Sequence, residues 1–239
     1  MNTNSREKFS RFEFKYILDP LTYMEVRDFI SAVGIYHDAH SQERPYLVTS
    51  LYYDSVGLED YYDKAGGFLD RKKIRIRVYS RELDGRCDLH LEVKNKHDMF
   101  VSKERALVSK EHWGDIASGD FAQLSRAFRY HILSEGRTPV VIVRYEREAF
   151  DQWFYDRVRI TLDRNIEAIR PESLVAGGKI SWYDAVSVSG PRTVLEVKFE
   201  NRLPWWFTFM MKKFNLRRTA YSKYASSIDA LYRYDPLPR

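Results

Sequence analysis

Hydrophobic and polar residues alternate along eight segments of this chain, and a period of two predicts β-strands. In segment 70–80, Arg75 and Arg77 fall on one side, and Ile74, Ile76 and Val78 fall on the other. Most of the segments are joined by short or turn-like connections, which favour antiparallel pairing. The predicted strands are 9–18, 46–54, 72–81, 86–96, 99–108, 139–150, 155–163 and 192–200.

Four other segments predict helices, and the mixture of strands and helices predicts an α+β fold. The first helix, about 20–33, has Asp19 as a suitable N-cap, Pro20 in its first turn and Gly34 at its end. The other three predicted helices are about 111–134, which Gly119 could break, 204–215 and 222–233. No linker or change of composition divides the chain. We therefore expect one domain over residues 1–239, with a core at about 9–233.

Eight antiparallel strands can close into a barrel, and almost every predicted strand has one apolar and one charged face. If the apolar faces pack outward against helices, the charged faces line a polar tunnel. If the apolar faces point inward, the charged faces are solvated. The periodicity alone does not distinguish these two arrangements.

The charge distribution narrows the classes of partner. Lys and Arg number 39 against 34 Asp and Glu, so the net charge is only +5, and the charges lie in the strands rather than in basic runs. We expect no nucleic-acid partner. No stretch approaches the roughly 20 apolar residues of a membrane span, and the N-terminus has no apolar signal core. These features predict a soluble, cytoplasmic protein, and they leave the oligomeric state open.

The most apolar run, residues 204–211, is too short to cross a membrane. Its aromatic residues Trp205, Trp206, Phe207 and Phe209 predict a helix packed on the outer wall of the barrel. A patch for a membrane surface or a protein partner is the alternative interpretation.

A Glu-x-Lys pattern recurs on three predicted strands. Because residues i and i+2 share a strand face, each carboxylate lies beside an ammonium group. An exposed ladder of salt bridges explains any one of these strands. Taken together, however, the charged faces hold mostly Arg, Lys and Glu, including Arg75 with Arg77 and Lys103 with Arg105. Arginine grips phosphate oxygens, and carboxylates bind Mg²⁺ or Mn²⁺, so the pattern suits a polyphosphate with a divalent metal. The three sets are Arg11, Glu13 and Lys15; His90, Glu92 and Lys94; and Glu196, Lys198 and Glu200.

Eight motifs occur in the order expected of a known family. They are RFEFKY, SLYYDS, RKKIRIRVY, LEVKNK, VSKER, VRYEREAF, LEVKF and YSKY, and they run from about residue 9 to residue 225. The chain thereby resembles the VTC (vacuolar transporter chaperone) domain, the polyphosphate polymerase family of the triphosphate tunnel metalloenzyme (CYTH-like) superfamily. The resemblance implies a closed eight-stranded antiparallel barrel with a charged interior and helices packed outside.

The resemblance also implies roles for individual residues. Arg11 stands where the wider superfamily often has the first glutamate of Glu-x-Glu-x-Lys, and this resembles the polymerase branch. The implied catalytic residues are Lys15, Arg75, Arg77, Lys94, Lys103 and Arg147. The implied substrate-binding residues are Tyr145, Lys198, Lys223 and Arg11, and the implied ligands of Mn²⁺ or Mg²⁺ are Glu196, Glu13 and Glu92.

Three hypotheses about function follow from this resemblance. The first is a metal-dependent polyphosphate polymerase that transfers the γ-phosphoryl group of a nucleoside triphosphate, with ATP expected, to a growing polyphosphate chain. The second keeps the site but uses water as the acceptor, which makes the protein an inorganic or nucleoside triphosphatase. The third is a polyphosphate-binding module without catalysis.

Overall fold

The chain forms one large antiparallel sheet flanked by short helices, in a computed structural model. The model describes residues 12–39, 41, 44–83, 87–97, 100–117, 120–122, 124–152, 157–174, 178–200 and 202–232. The strands are β1 (Phe12–Leu18), β2 (Tyr36–His37), β3 (Tyr46–Asp54), β4 (Asp70–Val78), β5 (Leu89–His97), β6 (Phe100–Val108), β7 (Thr138–Gln152), β8 (Val158–Ile169), β9 (Val186–Ser187) and β10 (Thr193–Phe199). The α-helices are α1 (Pro20–Ala32), α2 (Glu59–Ala65), α3 (Trp113–Ala117), α4 (Arg126–Arg129), α5 (Trp205–Lys213) and α6 (Lys223–Tyr232). Short 3₁₀ turns cover Lys110–His112 and Pro171–Ser173, and a π-helical turn covers Tyr130–Ser134.

The predicted α+β class is confirmed, and all eight predicted strands are present. Helices α1, α5 and α6 lie within two residues of their predicted bounds. The predicted helix at 111–134, which Gly119 could break, is not one long helix, because that stretch is split into a 3₁₀ turn, α3, α4 and a π-helical turn. Gly119 itself lies outside the described residues. The short helices and turns of this stretch still pack their apolar side chains on the sheet. At the start of α4, the Ser125 hydroxyl accepts a hydrogen bond from the Phe128 amide (3.3 Å).

The prediction of a closed barrel is also wrong. The hydrogen-bonded order of the eight long strands is β1-β10-β8-β7-β3-β4-β5-β6, so β1 and β6 are the two ends of an open path through the described residues. The free edge of β1 is contacted by the chain that links α5 to α6. Along that edge the Thr219 amide donates to the Lys15 carbonyl (2.8 Å) and the Lys15 ammonium donates to the Tyr221 carbonyl (3.1 Å). This segment therefore lies where β6 would have to pair.

The sheet is nevertheless strongly rolled. Glu13 on β1 and Lys94 on β5 are six strand positions apart, which is about 29 Å in a flat sheet with a spacing of about 4.8 Å. Their side chains approach to 3.5 Å between Oε2 and Nζ. β1 pairs Lys15 with Glu196 and Glu13 with Lys198, so these four side chains share one face of the sheet. The contact with Glu13 places Lys94 on the same face. The charged faces therefore line the concave side of the sheet.

The apolar faces form two clusters on the convex side. On β4, Ile74, Ile76 and Val78 pack with Trp113 and Phe128 from α3 and α4. On β1 and β10, apolar residues such as Tyr16 and Val197 pack with side chains of α1 and α5, including Ile30 and Phe207. Burying these side chains away from water is the main force that holds the helices on the sheet.

Helix α6 packs on the concave side, which corrects the prediction that every helix lies outside. Its residues Tyr224 and Ile228 are buried in a third cluster that includes Val143 of β7 and Tyr52 of β3. The Tyr224 ring stacks on Tyr52 with centroids 5.3 Å apart. Because Lys223 is the first residue of α6, this packing carries Lys223 into the charged surface.

One buried carboxylate fixes the position of α6. Asp54, which is 0 % exposed at the end of β3, accepts hydrogen bonds from the backbone amides of Asp60 (3.0 Å) and Tyr61 (3.1 Å) in α2. It also accepts from Arg137 Nη1 (2.9 Å) and from the Tyr224 hydroxyl. Asp54 thus ties α2, the start of β7 and α6 to one point of the sheet.

Asp54→Asn should lower the free energy of unfolding by about 1.5–3 kcal/mol, because it weakens the charged hydrogen bonds at Asp54, while Arg137 keeps Asp60 as a charge partner at 3.0 Å. Tyr224→Phe keeps the stacked ring and should cost about 1–3 kcal/mol for the unpaired acceptor. Urea denaturation of both variants measures these costs. Tyr183→Phe, at a residue that is 93 % exposed, is the matched control and should unfold like the unaltered protein. A Tyr224→Phe variant as stable as the control would contradict this role of Asp54.

Candidate active site

The first group of charged residues on the concave face is centred on Glu92, whose side chain is 4 % exposed. Pairing of β4 with β5 and of β5 with β6 places Arg75 and Arg105 on either side of it. Oε2 of Glu92 accepts from Arg75 and lies 3.9 Å from Arg77 Nη2. Oε1 of Glu92 lies 2.8 Å from Lys103 Nζ and 3.1 Å from Arg105 Nε. Four basic side chains therefore share one buried carboxylate.

The second group joins two glutamates to three lysines. Lys15 Nζ lies 2.9 Å from Glu13 Oε1 and 3.5 Å from Glu196 Oε2, so this ammonium bridges the two carboxylates. Lys198 pairs with the other oxygen of Glu196, and Lys94 pairs with the other oxygen of Glu13. All three of the repeated Glu-x-Lys patterns thus meet on the concave face, through Glu13, Glu92 and Glu196.

The third group is centred on Asp163, which the sequence analysis did not single out. Its side chain is 0 % exposed, and it accepts from Arg147 Nε (2.6 Å) and Nη2 (2.8 Å) and from Lys223 Nζ (2.5 Å). The Tyr145 ring lies 5.2 Å from the guanidinium carbon of Arg147 and 4.9 Å from Lys223 Nζ, within the range of cation–π attraction. The period of two puts Asp163 on the same strand face as Arg159. Only the pairing of β7 with β8 shows that it faces Arg147.

Lys73 is another residue of this surface, and sequence analysis had assigned it no role. It shares the face of Arg75, and its ammonium donates to the Ser222 hydroxyl just before α6 (2.8 Å). Arg75 Nη1 donates to the Tyr52 hydroxyl (2.9 Å) on the neighbouring strand. The alternation of segment 70–80 indicates that Lys73 shares the face of Arg75. It does not indicate the partner of Lys73, because Ser222 is 149 residues away in the chain.

The described part of the concave face holds more positive than negative charge. Every site residue expected from the resemblance lies on it except Arg11, which is outside the described residues. Within the three groups and Lys73, four carboxylates are too few to neutralise ten basic groups, so this part of the surface favours a polyanion. The basic residues are Lys15, Lys73, Arg75, Arg77, Lys94, Lys103, Arg105, Arg147, Lys198 and Lys223, and the acidic residues are Glu13, Glu92, Asp163 and Glu196.

Crowding of these cations affects their protonation. Burial lowers the pKa of Lys103 to about 6; Glu92 opposes this shift, while Arg75 and Arg105 add to it. Burial also lowers the pKa of Lys73 well below its usual range, and the neighbouring cations reinforce the effect. Without a ligand, these lysines therefore hold less positive charge at neutral pH than ordinary lysines do.

A bound polyphosphate should raise these lowered pKa values, because its charge favours the ammonium form. Binding of tripolyphosphate above pH 7 should therefore take up protons, and the affinity should fall as pH rises above the ligand-free pKa of Lys103 of about 6. Calorimetry in two buffers with different heats of ionisation measures the uptake. It should be done at a pH where the ligand itself is fully ionised. Lys103→Gln should reduce the uptake, and binding without proton exchange would contradict the prediction.

A family model described as the VTC domain matches residues 10–232. The chain belongs to the VTC domain family. A relative of this VTC domain is vacuolar transporter chaperone complex subunit 4 of Schizosaccharomyces pombe. It is 24 % identical over 234 residues, which cover 79 % of this chain and 32 % of that protein. The VTC domain thus spans about a third of the length of the curated relative that it matches.

Solved structures are similar to the VTC domain in fold. A candidate adenylate cyclase from Bacillus halodurans has a TM-score of 0.53 and 12 % identity, with 91 % of this chain and 95 % of that chain covered. A candidate adenylyl cyclase from Hippeastrum, described as revealing a dominant triphosphatase activity, has a TM-score of 0.49 and 13 % identity, with 90 % and 95 % covered. The first likeness shows that the VTC domain shares the fold of the Bacillus halodurans protein.

Proposed function

We propose that this VTC domain is a metal-dependent polyphosphate polymerase that transfers the γ-phosphoryl group of ATP to a growing polyphosphate chain. The observation that carries the proposal is the excess of cations on the concave face. At its centre, Arg77 is 5 % exposed, and its Nε has no hydrogen-bond partner within the described part of the chain. A buried guanidinium left partly unpaired is costly, and phosphate oxygens would complete its hydrogen bonds.

The geometry supports separate roles along the face. Arg75, Arg77 and Lys103 hold the triphosphate and offset the charge that develops as the γ-phosphoryl group moves. Lys94 lies between them and the lysines of β1 and β10, so it contacts the donor or the acceptor phosphates. Arg147, held by Asp163 and the Tyr145 ring, completes the phosphate-binding surface on β7.

The acceptor in this proposal needs no general base. Its nucleophile is a terminal phosphate oxygen, which is largely ionised at neutral pH. The site carboxylates are poor bases: burial and Glu196 act to raise the pKa of Glu13, but Lys15, Lys198 and Lys94 outweigh them and bring it to about 2. The pKa of Glu92 is likewise held well below its usual range by Arg75, Arg77 and Lys103, against the effect of burial. A carboxylate so readily ionised activates water weakly, which favours transfer to phosphate over hydrolysis.

A divalent cation fits the second group of residues. No group of three or more His, Cys, Asp or Glu side chains that could hold a metal occurs in the described part of the chain. Glu13 and Glu196, however, lie on either side of one ammonium. Mg²⁺ in phosphoryl-transfer sites takes one or two carboxylates and completes its shell with substrate oxygens and water, and this donor set suits it. Bound there, Mg²⁺ or Mn²⁺ would neutralise charge on the phosphate oxygens. Glu92, surrounded by four cations, is better suited to be their counter-ion.

A product balance tests the proposal against its two alternatives. Purified protein is incubated with ATP, short polyphosphate primers and Mn²⁺ or Mg²⁺, and ADP, free phosphate and chain length are measured together. A polymerase releases ADP in step with phosphate incorporated into long chains. ADP matched by free phosphate instead would identify a triphosphatase. Free phosphate released from the primers without ADP would identify an inorganic triphosphatase. Polyphosphate binding without ADP or free phosphate, under varied metals and primers, would identify a module without catalysis.

A further inference from the structure

The outward face of α5 is unlike the other surfaces of the convex side. At about 100° per residue, Trp206, Phe207 and Met210 fall on one arc of the helix, and all three are buried on the sheet. The opposite arc holds Trp205, which is 78 % exposed, and Phe209, which is 52 % exposed. Lys212 and Lys213 continue the same arc one turn later and are exposed. The exposed face therefore runs from two aromatic rings to two ammonium groups.

The chain around this face has only one sign of charge. From residue 202 to residue 223 there is no Asp or Glu, while six residues are Lys or Arg. Among the described residues, no ion pair involves Lys212, Lys213, Arg217 or Arg218. Lys213 lies instead over the rings of Phe29 (5.8 Å) and Phe214 (5.2 Å), and Arg218 lies over Phe14 (4.0 Å). Lys213 and Arg218 therefore lie on aromatic rings rather than being neutralised by a carboxylate.

We propose that α5 and the segment after it, residues 205–218, form a docking surface for an anionic lipid bilayer. Exposed Trp and Phe rings suit the boundary between head groups and acyl chains, and lysines beside them reach lipid phosphates. None of the helices in the described ranges is long and apolar enough to span a membrane.

The chemistry of the surface favours a bilayer over other occupants. A soluble polyanion without aromatic rings, such as polyphosphate, would bind the cations but would leave the exposed rings of Trp205 and Phe209 uncovered. A second copy of this chain would bring the same excess of positive charge to the contact, and like charges repel. Nearby α1 carries the exposed acidic residues Glu25 and Asp28, so the bilayer contact is assigned to α5 and not to α1.

Vesicle sedimentation tests the docking surface. The protein should bind vesicles of phosphatidylcholine mixed with phosphatidylglycerol and should bind pure phosphatidylcholine much less, with an affinity that falls as salt is added. Lys212→Gln with Lys213→Gln should weaken binding roughly tenfold to thirtyfold, since each basic group near such a surface contributes about fivefold. Trp205→Ala with Phe209→Ala should weaken it by about tenfold or more through lost apolar contact.

Control variants test whether vesicle binding depends on α5 or on other parts of the surface. Lys110→Gln with Lys179→Gln, and Tyr183→Ala, change exposed residues elsewhere and should bind vesicles normally. Arg75→Gln with Arg77→Gln should also bind normally, which excludes attraction of lipid to the concave face. The proposal is overturned if the α5 variants bind as the unaltered protein does. It is also overturned if phosphatidylglycerol has no effect, or if the α5 variants instead abolish self-association in the absence of lipid.

Discussion

Arg75→Gln with Arg77→Gln should weaken the binding of ATP or tripolyphosphate by at least about a hundredfold and leave the protein folded. Each charged hydrogen bond to phosphate contributes about 1.5–3 kcal/mol, and the two guanidinium groups offer several. The fold should persist because Lys103 and Arg105 remain on Glu92 after the change, so that this buried carboxylate keeps charge partners. Isothermal calorimetry gives the affinity, and thermal unfolding without ligand gives the stability.

Arg144→Gln is the matched control for this double variant. Arg144 lies on β7, pairs with Glu167 (2.6 Å between Nη2 and Oε2) and covers the Trp182 ring at 3.8 Å. Trp182 packs against the convex cluster beneath α3 and α4, so Arg144 is on the opposite side of the sheet from the proposed site. Its loss should leave triphosphate affinity unchanged. Equal affinity losses in both variants, or no loss in the double variant, would contradict the assignment of Arg75 and Arg77.

Glu196→Gln should lower metal-dependent turnover by about a hundredfold or more and raise the concentration of Mn²⁺ needed for half-maximal rate. The amide keeps the shape of the side chain but removes the charge that binds the cation, and such charge stabilisation is worth several kcal/mol. Phosphate binding should persist, because Lys15 keeps Glu13 as its partner and Lys198 becomes free for the ligand. Rates measured across metal concentrations separate the two effects.

Glu148→Gln is matched to Glu196→Gln in burial and in charge partners. The Glu148 side chain is 3 % exposed and is paired with Arg27 and His37 beside α1, on the convex side. This control should lose stability through its broken ion pairs but keep its metal requirement. If Glu196→Gln keeps the same requirement, Glu196 is not the metal ligand.

Strand alternation was enough to predict which residues share a face. Arg75 and Arg77 lie on the concave side and Ile74, Ile76 and Val78 on the convex side, as the period of two requires. The same rule placed Glu13 with Lys15 and Glu196 with Lys198. These are local properties, because consecutive side chains of any strand point to opposite faces.

Three features depended on contacts distant in sequence and were therefore missed. The barrel does not close, because the segment around Thr219 contacts the edge of β1. No local sequence pattern predicts that contact. Helix α6 lies inside the rolled sheet because Tyr224 reaches Asp54, 170 residues earlier. Its amphipathic sequence predicts a packed helix but not the side of the sheet on which it packs. Asp163 was missed for the same reason, since its partners come from β7 and α6.

The most direct test of the account is a crystal structure of the protein soaked with Mn²⁺ and a non-hydrolysable nucleoside triphosphate, with anomalous scattering used to locate the metal. We predict phosphates against Arg75, Arg77 and Lys103 on the concave face, with the manganese peak at Glu196 and Glu13. A triphosphate bound on the convex side, or a manganese peak away from both glutamates, would contradict the claim that the concave face is the site of phosphoryl transfer.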